Sequence, residues 1–276
     1  MPLLVVPTPI GNLHDITLRG LEALRGADLI ACEDTRRTLK LLNHFCIKKT
    51  LISYHEHNEL TRLELLIKKI EAGETVALVS DAGTPGLSDP GGVIIRAVIE
   101  KGLPLDVLPG ANALLPALLL SGMEIKKFYF AGFLSGKKSE KRAQLEELKN
   151  IKSPLVFYVS PHKLLREMEL MGEILGDRRA ALIREISKIH QETVHATIFT
   201  FKDEILKERI RGEFVCVVEG VSPSQAETED EVWQSEAGRL YCAGESTKNI
   251  ANLLSVRYCI PKNRIKDFIV HIDLIR

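Results

Sequence analysis

Ala77–Gly92 reads ALVSDAGTPGLSDPGG, an apolar run that breaks abruptly into glycine, proline, threonine, serine and two aspartates. A run of this length is a buried strand, and a long ordered loop behind a strand tends to hold a ligand. The loop contains no lysine or arginine. It therefore matches neither the G-x-x-x-x-G-K-[ST] phosphate loop nor the G-x-G-x-x-G dinucleotide turn. The nearest phosphate-loop text, GFLSGKKS at Gly132–Ser139, has the wrong spacing and a lysine where serine or threonine belongs. A neutral-to-acidic loop suits a ligand with hydroxyls, a purine edge or a positive centre. Gly83 and Gly86 permit close backbone approach, and Pro85 and Pro90 stiffen the chain around them.

Working outward, Leu3–Val6, Asp28–Cys32, Leu51–Tyr54, Val76–Ser80 and Leu105–Leu108 are further short apolar runs. Between them Leu18–Leu24, Thr35–Phe45, Leu60–Ala72 and Gly91–Lys101 carry helical periodicity. Continuous apolar strands separated by helices predict a mainly parallel sheet covered on both faces. Ligands of such sheets sit beyond the carboxyl ends of the strands. There the sequence places PTPIGN, EDTRRT, HEHNE, DAGTPGLSDPGG and PGANA, five loops expected on one rim.

An apolar helix, Leu114–Leu120, ends at Ser121-Gly122, and a second α/β unit is expected beyond it. Its strands are Phe128–Phe133, Leu155–Ser160, Ala180–Ser187, Thr193–Phe199 and Phe214–Gly220, with helices over Glu140–Lys149, Lys163–Leu175 and Lys202–Ile210. Partial alternation in Thr193–Phe199 predicts a mixed sheet with antiparallel pairs. The acidic stretch Ala226–Glu236 reads as an exposed linker, followed by two short helices separated by Pro261. The expected domains are 1–121, 122–221 and a small helical segment with its acidic linker, 222–276.

The chain has 276 residues, 45% of them hydrophobic, which favours two domains with real cores. Lys+Arg and Asp+Glu both number 37, so broad nonspecific nucleic-acid binding is disfavoured and a local basic patch is not. Five scattered cysteines without a CxxC pair read as reduced, buried thiols. MPLLVVPTPIGN reads as a first strand and not a signal peptide, and no run approaches a membrane span. The expected location is the cytoplasm.

Three motifs carry open alternatives. His55 and His57 would share a side if extended, which admits a metal site, a polar substrate loop or plain surface histidines. EDTRRT (Glu33–Thr38) fits a helix start capped by Asp34 or Thr35, which does not exclude substrate contact. GKKSEKR (Gly136–Arg142) is either a solvated helix start or a contact to a phosphate backbone.

The order PTPIGNLHDIT, EDTRRT, YHEHNE, VSDAGTPGLSDPG, LPGANA, YVSPHKLL, REISKIHQET and GEFVCVVEG covers nearly the whole chain. It resembles the class III tetrapyrrole methylase superfamily, and within it the bacterial 16S rRNA cytidine 2'-O-methyltransferases. The resemblance implies two α/β domains with a cleft between them for S-adenosyl-L-methionine, a homodimer, and 16S rRNA of the small ribosomal subunit as substrate. It also implies cofactor contacts at Pro9, Gly11, Asp81, Ala82, Gly83, Thr84, Pro85, Asp89, Pro109, Gly110, Tyr158 and Arg184. Asp34, His55, Glu56 and Glu185 become candidates for the base that takes the ribose proton. Arg36, Lys137, Lys138, Lys141, Arg142 and Lys188 become candidates for RNA contact, and no metal is implied. A methyltransferase acting on a small molecule or another RNA position and a nonenzymatic RNA- or ribosome-binding module are the competing readings.

Overall fold

The computed structural model describes residues 2–201, 210–221, 223–258 and 260–275, with backbone alone for 223–232 and 271–275. The helix expected at Lys202–Ile210 lies outside the described residues except for Ile210. By contact the chain divides into two compact units: residues 1–149 with 153–219, and residues 150–152 with 220–276.

The first unit holds two sheets. Strands β1 (Leu3–Val5), β2 (Leu29–Cys32), β3 (Thr50–Ser53), β4 (Val76–Val79) and β5 (Leu105–Val107) form a sheet of order β3-β2-β4-β1-β5. Every pair in it is parallel. Helices α1 (Leu18–Gly26), α2 (Thr35–His44), α3 (Glu59–Glu71) and α4 (Gly92–Glu100) are the crossovers. The central strands β2 and β4 are buried at every residue, as unbroken apolar runs require. One face packs as Leu3, Val5, Leu29, Ala31, Leu78 and their neighbours. The other packs as Val6, Ile30, Cys32, Ala77, Val79 and theirs.

Helix α5 (Leu114–Leu120) leads to the second sheet, made of β6 (Tyr129–Phe133), β7 (Leu155–Val159), β8 (Arg179–Arg184), β9 (Glu192–Thr197) and β10 (Phe214–Val218). Its order is β6-β7-β10-β8-β9. Only β6 and β7 run parallel; the other pairs are antiparallel, so the sheet is mixed as its alternation suggested. Helices α6 (Lys138–Leu148) and α7 (Leu164–Leu175) belong to this half, with a 3-10 turn at Pro161–Lys163 before α7. Strand β8 stops at Arg184, three residues short of the expected end, because Glu185 and Ser187 adopt positive φ of 53° and 67°.

The second unit corrects the linker reading. Pro223–Cys242 is a helix, α8, followed by α9 (Thr247–Tyr258) and α10 (Lys262–Ile275) on either side of Pro261. Trp233, buried to 1%, anchors a core of Ala237, Ile250, Ala251, Leu254, Ile265 and Ile269 and stacks edge-on against Phe268 at 5.2 Å. Acidic composition hid a helix whose one apolar stripe is sparse.

The cysteine reading holds in part. Cys32 and Cys216 are buried, Cys46 and Cys242 are exposed, and Cys259 lies outside the described residues. Among the described residues no helix is long and apolar enough to cross a membrane.

Candidate active site

The loop after β4 is pinned to the loop after β1 before anything binds. Thr8 and Gly83 exchange two backbone hydrogen bonds of 2.8 Å, and the buried Thr8 hydroxyl donates to the Ser80 carbonyl at 3.1 Å. Gly83 has φ of +83°, a conformation glycine adopts without penalty. The PGANA loop comes equally close: a Cβ on Gly110 would lie 2.6 Å from Pro7 Cβ. On the other side, the Asp81 carboxylate accepts the Asp34 N–H at 3.0 Å and pairs with Arg37 at 3.3 Å. Four strand ends are thereby tied into one rim.

This rim faces the ends of β6, β7 and β10 across a cavity of about 360 Å³. Ile10, Glu33, Arg37, Asp81–Thr84, Leu87–Asp89, Asn112 and Ala113 line it from the first sheet. Phe133, Tyr158–Pro161, Ile186 and Glu213–Val215 line it from the second. Tyr158 packs edge-on against Phe130 at 5.0 Å and Phe133 at 5.5 Å. Burial, and then Asp89, push the Tyr158 phenol up to about 12, so it stays protonated.

The charge of the lining is lopsided. Among the described residues, Glu33, Asp81, Asp89 and Glu213 contribute carboxylates to the lining, Arg37 is the single cation, and there is no lysine. Burial and the neighbouring Asp81 push the Glu33 carboxyl up. Burial, followed by Glu33, pushes Asp89 up to about 6, with Asp81 and Glu213 adding to the rise and the Ser80 hydroxyl opposing it. Such a site repels phosphate and attracts a cation.

Of the twelve expected cofactor residues, Asp81, Ala82, Gly83, Thr84, Asp89 and Tyr158 line this cavity. Gly110 lines a neighbouring groove with Leu115, Leu119 and Gln191. Pro9, Gly11, Pro85 and Pro109 line neither. Gly11 has a packing reason instead, since a Cβ there would lie 2.3 Å from Lys188 Cγ. Arg184 turns away, donating to the Arg211 carbonyl at 2.9 Å and pairing with Glu192.

None of the four expected bases lines the cavity. Asp34 caps α2, accepting the Arg36 N–H, and its carboxylate is gripped by the Arg36 guanidinium at 2.8 and 3.1 Å. That hydrogen bonding holds it down at about 2, too acidic for a useful base near neutrality. Glu185 loses to burial but gains more from Lys188 and the Glu213 N–H, which hold its carboxyl below the usual range. Glu56 is exposed on a turn.

The His55 ring is engaged by Asn58. Asn58 Oδ1 accepts the His55 N–H at 2.8 Å and its Nδ2 donates to the Ser53 carbonyl at 3.2 Å, which fixes the amide orientation. Nδ2 therefore also donates to His55 Nε2 at 3.0 Å, leaving the ring proton on the buried Nδ1. Neither nitrogen has a lone pair to offer a substrate. The HEHNE loop is a turn and not extended, so the His55 and His57 rings stand 6.0 Å apart at 68°. Among the described residues no cluster of three His, Cys, Asp or Glu side chains gathers around a metal-sized gap.

The expected RNA residues are also redistributed. Lys188 lies between Glu185 at 2.8 Å and Glu213 at 2.9 Å, and Arg36 is taken up by Asp34. Lys141 is paired with Glu167, Arg142 with Glu173 and Lys137 with Glu140. Glu33, Arg37 and Glu213 are cavity-lining residues that the sequence reading did not single out. Glu33 and Arg37 sit inside the quoted EDTRRT, one residue to either side of those chosen, and Glu213 is the second residue of the quoted GEFVCVVEG.

Residues 2–202 match the profile of the tetrapyrrole (corrin/porphyrin) methylases. The chain belongs to the tetrapyrrole methylase family. Similar members include the ribosomal RNA small subunit methyltransferase I of Bacillus subtilis, 39% identical over 96% of this chain and 92% of that one. The protein of the same name from Haemophilus influenzae is 38% identical over 98% and 97%. Among solved structures, a Thermus thermophilus uroporphyrin-III C-methyltransferase complexed with S-adenosyl homocysteine covers 79% of this chain and 97% of its own at a TM-score of 0.57 and 17% identity. A diphthine synthase covers 79% and 90% at 0.61 and 16%. At those identities the two structures establish the methylase fold alone.

Proposed function

We propose that this chain transfers a methyl group from S-adenosylmethionine to the ribose 2'-hydroxyl of a cytidine in 16S rRNA of the small ribosomal subunit. The observation that carries the reading is the carboxylate-rich cavity, without a lysine among its described lining residues, at the strand ends of a tetrapyrrole methylase fold. Its volume falls within the roughly 300–1,000 Å³ of small-molecule sites. The cofactor fits this chemistry: it brings a cationic sulfonium and an electrophilic methyl group, and it has no phosphate. The names of the relatives at 38–39% identity supply the substrate class.

Within that reading, Asp81, Ala82, Gly83 and Thr84 hold the cofactor through carboxylate, backbone and hydroxyl groups. Phe133 and Tyr158 supply the apolar wall. Holding the ribose oxygen in line with the methyl carbon contributes roughly 7–11 kcal/mol of barrier lowering. Lys138, on the exposed start of α6, is the cation of that run left to meet RNA phosphates, because Lys137 pairs with Glu140 and Lys141 is buried against Glu167. Residues 1–121 and 122–221 form the catalytic lobes and 222–276 the appended helical domain, in a cytoplasmic homodimer.

Small subunits lacking the modification, incubated with the protein and methyl-labelled cofactor, should yield labelled 2'-O-methylcytidine on nucleoside analysis. Label in a different nucleoside would overturn the cytidine assignment. No transfer, despite cofactor binding, would overturn the RNA substrate.

A further inference from the structure

We propose that Asp89, a residue whose motif implies cofactor contact, is the base that takes the ribose hydroxyl proton. This inference rests on the methyl-transfer reading above. The carboxylates of the cavity differ in how they are already engaged. Asp81 accepts the Asp34 N–H and pairs with Arg37. Glu213 is bound to Lys188. Glu33 accepts the Asp81 N–H at 3.4 Å and lies within the field of Arg37. Among the described residues no cation pairs with Asp89, although the residue lines the cavity.

The loop that carries Asp89 is held by its own backbone contacts. Gly86 N–H donates to the Pro90 carbonyl at 3.2 Å and Leu87 N–H to Thr84 at 3.2 Å. Ser88 and Gly91, flanking the Asp89-Pro90 step, adopt φ of 66° and 140°. A Cβ on Gly91 would lie 3.1 Å from Gly86 N and from Leu78 Cδ2, so the turn is closed tightly. The second sheet braces it from outside: β6 bulges between Phe130 and Gly132, and a Cβ on Gly132 would lie 3.2 Å from Ser88 Oγ. Bulges of this kind re-aim backbone beside active sites. A base must be held this firmly to meet a proton at hydrogen-bond distance.

The surroundings set its strength. Glu33, Asp81 and Glu213 disfavour its charge, Arg37 is occupied by Asp81, and Tyr158 remains a neutral phenol beside it. The carboxyl therefore accepts a proton near neutrality, where a general base works best. As the ribose oxygen bonds to the methyl carbon and the carbon–sulfur pair leaves with sulfur, Asp89 Oδ takes the hydroxyl proton and later yields it to water.

The test uses the full chain with and without Asp89→Asn. In the cofactor-free protein, carboxyl-carbon NMR should show one resonance with a midpoint near 6 that vanishes in the variant. Calorimetry should give dissociation constants for S-adenosylmethionine and S-adenosylhomocysteine within about threefold of the parent. Single-turnover transfer to small subunits should fall about 10²–10⁴-fold, and the acid limb of the parent's pH profile should disappear. Asp89→Glu, which keeps a carboxyl, should recover part of the rate. Transfer by Asp89→Asn within about tenfold of the parent would overturn the inference. So would a selective loss of affinity for the cationic cofactor over its neutral product, which would make Asp89 a charge anchor. A parent protein that binds neither molecule would instead sink the methyl-transfer reading itself.

Discussion

Gly83→Val is expected to weaken S-adenosylmethionine binding by about 100-fold or more, equivalent to about 2.7 kcal/mol, while Gly73→Val leaves it unchanged. Both glycines have positive φ, +83° and +91°. Valine at either should cost about 1–3 kcal/mol of stability, since a β-branched residue is strained there. The surroundings differ. Gly73 has open space where a side chain would go, at the end of α3. Gly83 lies in the cavity wall, with its would-be Cβ 3.5 Å from Ile10 and its backbone bonded both ways to Thr8. A branched side chain there takes space the ligand needs and pushes the first and fourth loops apart. Calorimetry on the two variants, with thermal unfolding as the measure of shared strain, separates the effects. Equal affinity in both would place the ligand elsewhere.

Lys141→Met is expected to destabilise the first unit by about 3–5 kcal/mol, because it leaves a buried carboxylate without its partner. Glu167 is 3% exposed and Lys141 12%, and the two are in direct contact between α6 and α7. At about 2–4 °C per kcal/mol for a body of this size, the unfolding temperature should fall by about 6–20 °C. Pairing Lys141→Met with Glu167→Leu should restore most of the loss, since apolar replacement of a whole buried pair is often neutral. Lys138→Ala, on the exposed side of the same helix, should stay within about 0.5 kcal/mol of the parent. Thermal unfolding of the three variants checks this. A marginal loss for Lys141→Met, with weakened RNA binding, would return Lys141 to the phosphate-contact role its sequence neighbourhood suggested.

That contrast marks what sequence reading reaches. The strands at Leu3, Leu29, Val76 and Phe214 were legible because burial on both faces leaves unbroken apolar runs, a pattern exposed segments do not produce. The rim loops were legible because glycine and proline mark unusual backbone. Which side chain of a loop faces the ligand was not legible. In EDTRRT the strand places Glu33 and the first turn of α2 places Arg37 at the cavity, while Asp34 is consumed as the cap. Nothing in the residue types separates neighbouring acids with such different fates. HEHNE leaves its alternatives open for a related reason: extension would align its histidines, but Asn58 folds the segment into a turn and claims the His55 ring. GKKSEKR reads as a net basic run, although its third lysine faces a carboxylate 26 residues away in α7. The acidic segment at 226–236 reads as solvated, and only Trp233 signals the core it builds. Long-range partners decide each of these cases, and spacing along the chain does not encode them.

The most direct measurement of the central claim is a crystal structure of the chain with S-adenosylhomocysteine. The ligand should lie among Asp81–Thr84, Asp89, Phe133 and Tyr158, with no ordered anion beside the four carboxylates. Density for it in the groove around Leu115 and Leu119, or a cavity left filled by water alone at saturating ligand, would contradict the account.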